Sequence, residues 1–376
     1  MPVTNQFRHQ TYSSQEPTAP WRMLSAEFPP QPGTPEFDQA LKKFSQSIAD
    51  EVDAIWLVHG TFAGNDAFGL FGQLEKLMPA SGLLLKDLGK KMTDYLAGDS
   101  GNYTPEFAEL IDLPIPVRRF VWSGENTHSG RSMAAVELLS ELLTHVEQEK
   151  RVLLWGHSHA GNIAALITNL LGAESWCRFQ FLELVEQLLP TERLKLKTAM
   201  SLNTKIDQLG SDLSLDVVNF GTPICYGWDA TGYRRLFHVV HHRPIPETNP
   251  WQCPVVKAGM NFRDGFKGDW VQVLGITGSN FLPFLFDSTT RAAEQKLGQF
   301  LAPELPRSDY WSSVKHGMRV AEEGETLLVD YDNTDSLAGE TAGHSIYTKP
   351  QWLAFHLELL ASLYDSSKPP TNLPSP

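Results

Sequence analysis

The chain has little that would tie it to a membrane, to nucleic acid or to a disulfide scaffold. No run of about 18 apolar residues occurs, and the opening Met1-Pro-Val-Thr-Asn-Gln-Phe-Arg-His9 has no apolar core of secretory length. These absences predict a soluble cytoplasmic protein without a transmembrane segment, while leaving open export by machinery that reads no N-terminal peptide. Lys and Arg form no block and the net charge is -13, which argues against nucleic acid as a partner, because neutralising phosphates requires clustered cations. Cysteine is scarce: Cys177, Cys225 and Cys253 stand far apart and none belongs to a C-x-x-C pair, so neither a disulfide framework nor a zinc site is indicated. His241 and His242 are adjacent at a strand end and should point to opposite faces, which disfavours a shared metal ion. There is no internal repeat.

What remains is ordinary globular material: 376 residues, 41% hydrophobic and 20% charged, enough for one elaborated domain with a large core. Residues 1–35, rich in proline, read as an irregular arm and residues 366–376 as a flexible tail. Between them, short apolar runs alternate with helical periodicity. Ala54–Val58, Val117–Trp122, Val152–Trp155, Leu215–Phe220, Leu236–Val240 and Glu325–Asp330 read as strands. Ala135, Leu138, Leu139, Leu142 and Val146 share one helix face, as do Ile163, Leu166, Ile167, Leu170 and Leu171. Trp352, Phe355, Leu359, Leu360 and Leu363 mark a closing helix. The alternation predicts an α/β fold: a mostly parallel central sheet with helices on both faces. Three segments break the rhythm, at about 62–116, 174–212 and 244–305, and read as insertions: a covering or entrance-lining excursion, a cap whose aromatics at 176–181 either form an acyl-binding lid or merely pack on the sheet, and a long loop-rich region. Within the last, Phe281–Phe286 reads as a buried covering segment rather than a membrane-touching patch.

The stretch Trp155-Gly-His-Ser-His-Ala-Gly161 contains G-x-S-x-G between a strand and a helix. In that context the pattern describes a sharp turn that exposes a serine hydroxyl, and its glycines let strand and helix approach. A serine is a weak nucleophile unless a base, an orienting acid and oxyanion donors are supplied elsewhere. The N–H of His159, the residue after Ser158, is one expected donor, and the N–H of Thr61, in His59-Gly60-Thr61 after an earlier strand, is the second; the His59 ring is assigned a structural hydrogen bond. Of the histidines late enough to act as base (His241, His242, His316, His344, His356), His344 stands in the loop after the last strand, where an imidazole can reach back over the strand ends.

Val58-His-Gly-Thr-Phe62, Phe120-Val-Trp-Ser-Gly124 followed by Arg131, Trp155–Gly161, Asn219-Phe-Gly-Thr-Pro223 and Gly343-His344 together resemble the α/β-hydrolase lipases and esterases, over residues 54–365. The resemblance implies a single α/β-hydrolase domain at 36–365 with an eight-stranded, mostly parallel sheet. It further implies cleavage of small-molecule or lipid carboxylic esters through an acyl-enzyme, with no cofactor. Carried onto this chain, it makes Ser158 the nucleophile, His344 the base, and the N–H groups of Thr61 and His159 the oxyanion hole. The chain departs from the family at the acid: where related lipases often carry an Asp-Pro-Val-Pro phrase, it reads Arg243-Pro-Ile-Pro246. Glu247, Asp264, Asp269 and Asp287 are candidate replacements, with Asp229 as an outsider. Asp269 is favoured, because Lys267-Gly-Asp-Trp-Val-Gln272 resembles the Gly-Asp-x-Val loops that carry the acid in many hydrolases. Two other functions fit the same motifs: a hydrolase-fold binding module that has lost catalysis, and a phospholipase or acyltransferase using the same serine.

Overall fold

Ala54–Val58 (β2) and Arg151–His157 (β4) are apolar on both sides of the strand, and a computed structural model puts both in the middle of a sheet, where each face is covered. The structure describes residues 7, 16–60, 103–188, 199–243, 249–251, 268–269, 272, 288–301, 319–331 and 343–365. Trp21–Ala26 (β1), Val117–Phe120 (β3), Ser214–Phe220 (β5), Arg235–His241 (β6) and Glu325–Tyr331 (β7) complete seven strands in the order β1-β7-β6-β5-β4-β2-β3, every neighbouring pair parallel. Strand alternation sends Ala54, Trp56, Val152, Leu154 and Val217 into one apolar cluster and Ile55, Leu57, Leu153, Trp155 and Val218 into the other.

Pro35–Ile48 (α1), Pro105–Glu109 (α2) and Leu353–Tyr364 (α8) cover the second face. The first two begin on a threonine followed by proline, with Thr34 and Thr104 accepting from the N–H groups of Phe37 and Phe107. His128–His145 (α3), Ala160–Gly172 (α4), Ser175–Leu188 (α5), Ala199–Leu209 (α6) and Ser288–Leu301 (α7) lie on the first face.

Three readings of the sequence are corrected. The arm at 1–35 contributes a strand: β1 pairs with β7 from Trp21↔Thr326 to Ala26↔Tyr331. Only Leu24 and Ala26 of it are fully buried, so its weak alternation hides among prolines. The segment 174–212 is not a cap in its described part, because Phe181, Leu182, Val185, Leu202 and Ile206 are buried in the same cluster as β4 and α4. Region 244–305 holds α7, whose Leu297 and Leu301 are buried there too, and whose Glu294 carboxylate accepts from the first N–H groups of α3 at His128 and Ser129. The described part of the sheet has seven strands, all parallel, in keeping with the mostly parallel sheet read from the sequence.

The strand order places the site. From β2 the chain goes outward to β3, returns to β4, and then proceeds away through β5, β6 and β7. This reversal opens a crevice at the carboxyl ends of β2 and β4, where Gly60 and Ser158 stand.

Candidate active site

Ser158 is the only non-glycine described residue with positive φ, at 57°, a conformation that costs an L-residue about 1–2 kcal/mol. The surroundings impose it. The Ser158 N–H donates to Phe220 O at 2.8 Å, and its carbonyl accepts from Gly161 N (3.1 Å) and the Thr222 hydroxyl (2.8 Å). These bonds fix the turn on both sides. The two flanking approaches require glycine: a Cβ on Gly161 would lie 2.6 Å from Thr222 Cγ2, and one on Gly60 would lie 2.6 Å from Ser158 Cβ.

His344 and Asp269 meet the serine here. Ser158 Oγ lies 2.8 Å from His344 Nε2, and His344 Nδ1 lies 2.9 Å from each carboxylate oxygen of Asp269. Asp269 is completely buried and also accepts from Gln272 N and the Tyr347 hydroxyl, both at 2.9 Å. Burial pushes its carboxyl pKa up, but the His344 imidazole and these donors outweigh it and hold the group below the usual carboxylate value. An ionised Asp269 makes Nδ1 of His344 the N–H, so Nε2 presents its lone pair to the serine hydroxyl.

The Arg243 guanidinium lies 3.7 Å from Asp330 and donates to Tyr331 O. Asp269 nevertheless stands at the end of β6, because its N–H donates to His241 O at 3.0 Å and Arg319 donates to the carbonyls of both residues. The carboxylate therefore returns, from further along the chain, to the end of β6. Glu247, Asp264 and Asp287 lie outside the described residues, as do Thr61, His316 and Phe281–Phe286. Asp229 instead closes a turn on Thr231.

None of the described carbonyls takes the N–H of His159. The His159 ring is buried; burial first, then the Arg131 charge, depresses its pKa well below the ordinary value and keeps it neutral. Its Nδ1 accepts from Asn162 Nδ2 at 3.0 Å, with Arg131 Nη1 at 3.5 Å. Asn162 also donates to Pro223 O and accepts from Cys225 N, tying the start of α4 to the loop after β5. The His59 ring is structural: its Nε2 accepts from Trp122 N at 3.0 Å, so Nδ1 carries the proton donated to Gly60 O.

Tyr347, Gln272 and Arg319 support Asp269 but escaped the sequence reading. Only the position of Tyr347 three residues after His344 offered any signal. His356 is buried inside α8 against Tyr331. His241 binds no cluster of ligands and instead faces the loop of His344, with Nδ1 3.3 Å from Gly343 O. Among the described residues no group of three or more His, Cys, Asp or Glu side chains could hold a metal ion, and no helix is long and apolar enough to cross a membrane.

Fold and site together define an α/β protein whose parallel sheet carries a strained serine hydrogen-bonded to a histidine–carboxylate pair. No family model, curated protein or solved structure matches the chain.

Proposed function

We propose that the chain is a serine hydrolase of the α/β-hydrolase class that cleaves carboxylic esters through an acyl-enzyme on Ser158. The observation that carries this reading is the unbroken hydrogen-bonded line from Ser158 Oγ through His344 to the buried Asp269, at 2.8 and 2.9 Å. The strand sequence β3-β2-β4-β5-β6-β7 with the serine directly after β4 supports it.

His344 Nε2 removes the hydroxyl proton as Ser158 Oγ attacks the ester carbonyl, and Asp269 stabilises the imidazolium that forms. The oxyanion develops beside the N–H of His159, which no described backbone carbonyl takes, with the N–H of Thr61 assigned as the second donor. Collapse of the tetrahedral intermediate breaks the C–O bond, and the alcohol leaves with the proton from His344. Water, deprotonated by the same imidazole, then attacks the acyl-serine and releases the carboxylic acid. These steps use small-molecule or lipid esters as substrate and call for no cofactor, and the reading keeps the cytoplasm as the site of action. An inactive binding module was suggested by Arg243 at the acid position; with Asp269 against His344 that reading loses its motive.

The test is labelling with a fluorophosphonate probe. The folded wild type is expected to label and to hydrolyse p-nitrophenyl esters, and Ser158→Ala to do neither. Equal labelling of the alanine variant would remove Ser158 from the role.

A further inference from the structure

The Asp269 carboxylate fixes the rotation of the His344 ring but does not hold the main chain on which the ring is mounted. That task falls to two other histidines. His157, the last residue of β4, follows Leu153 and Trp155 in the alternation. Its ring centroid lies 4.7 Å from that of His344 and 5.7 Å from that of Tyr347. His157 Nε2 is 2.8 Å from His344 O. A carbonyl oxygen can only accept, so Nε2 carries the proton. At the end of β6, His241 Nδ1 lies 3.3 Å from Gly343 O and by the same argument donates to it. The His241 main-chain N–H also donates to the Tyr347 hydroxyl at 2.7 Å, which in turn donates to Asp269.

We infer that His157 and His241 are positioning residues which clamp successive carbonyls of the loop carrying the base, and so set the reach of His344 to Ser158. The inference rests on the proposed serine chemistry. Its physical content is that β4 and β6, on either side of β5, each lend one N–H to the peptide units at 343 and 344. The 2.8 Å contact between Nε2 and Oγ depends on that suspension, because a misplacement of about 1 Å in a reacting group can lower a rate roughly 100-fold. Burial supports the arrangement, since it holds His241 neutral with its pKa at about 4.

The experiment separates donor from bulk in the full chain. His157→Gln keeps an N–H donor near Nε2 without the ring, and His157→Phe keeps a ring without the donor. His241→Asn and His241→Leu make the matching pair at Nδ1. Steady-state hydrolysis of a p-nitrophenyl ester, the fluorophosphonate labelling rate and the urea midpoint are measured for each. The expected result is a fall in kcat and labelling rate of about 10- to 100-fold for His157→Phe, with KM moved less than about twofold, and recovery to within about threefold of wild type for His157→Gln; His241→Asn should exceed His241→Leu in the same sense. If His157→Phe does not fold, His157→Met replaces it. Equal losses in the donor-keeping and donor-lacking variants, or losses carried by KM, overturn the clamp while leaving the serine chemistry intact. A folded wild type that neither labels nor turns over removes the serine chemistry, and the clamp with it.

Discussion

Asp269 has no exposure to solvent, yet both oxygens of its carboxylate meet donors: His344, Gln272 and Tyr347. Replacing it with asparagine preserves the shape but offers an amide where an anion is needed, so the imidazole loses its orienting charge. Asp269→Asn should lower kcat by about 10³- to 10⁴-fold with a folded protein by circular dichroism; a loss under about tenfold would exclude it as the acid. Tyr347 stays a neutral donor, because burial and then the Asp269 charge push its pKa well above the ordinary value. Tyr347→Phe leaves His241 N–H and one Asp269 oxygen short of a partner, and should reduce stability by about 1–3 kcal/mol in urea unfolding, with a smaller loss of kcat than Asp269→Asn. At this scale the sequence showed Ser158 and His344 through their contexts and Asp269 through the Gly-Asp-x-Val likeness. Tyr347, Arg319 and His157 stayed hidden, because each acts across the fold on a partner that no local pattern names; Gln272 acts on Asp269 through its main-chain N–H, which any residue type would supply.

The decisive element is the turn between β4 and α4, where Gly161 packs against Thr222 and Gly60 against Ser158. In Gly161→Ala the new methyl meets the threonine that holds the Ser158 carbonyl. Overpacking of this kind should cost about 1–3 kcal/mol, read as a lower thermal midpoint together with slower fluorophosphonate labelling; an unchanged midpoint and rate would show that the turn can relax. Strands β2, β4, β5, β6 and β7 were legible because sheet interiors demand continuous apolar runs. Edge strand β1 was not, since Met23 is exposed while Leu24 and Ala26 are buried, too short an alternation to stand out among prolines. Helix α5 was misjudged because Trp176 is exposed and stacks on Phe179, which blurs the helical face formed by Phe181, Leu182 and Val185.

Across the whole molecule, histidines are stored in the core in neutral form. Burial lowers the pKa of His238 and His241 to about 4 and of His242 and His356 to about 3. The folded chain therefore stays unprotonated at these sites while the unfolded chain binds protons below about pH 6.5. Their contribution to stability is complete above about pH 6.5 and is lost as pH falls toward 4 and then 3, by up to about 1.4 kcal/mol per pH unit for each histidine. Urea midpoints should hold between pH 7.5 and about 6.5 and then fall as the pH is lowered to 5; a flat profile below about pH 6.5 would contradict neutral burial. At the opposite end of the sheet, Asp216 is buried and binds Arg234 and the Tyr364 hydroxyl, joining β5 to β6 and α8.

The sequence by itself determined the alternation of strand and helix, the buried strands and the serine turn. Those follow from interactions between residues a few positions apart, which a period of 2 or 3.6 records. Only the tertiary structure decided which carboxylate stands behind His344, where β1 pairs, and which residues meet the loop of His344. Ser158 and His344 are separated by 186 positions and His344 and Asp269 by 75. Contacts at such separations come from the order in which strands assemble, here the reversal between β2 and β4 and the return of the chain to the end of β6. No local pattern in the chain encodes that order.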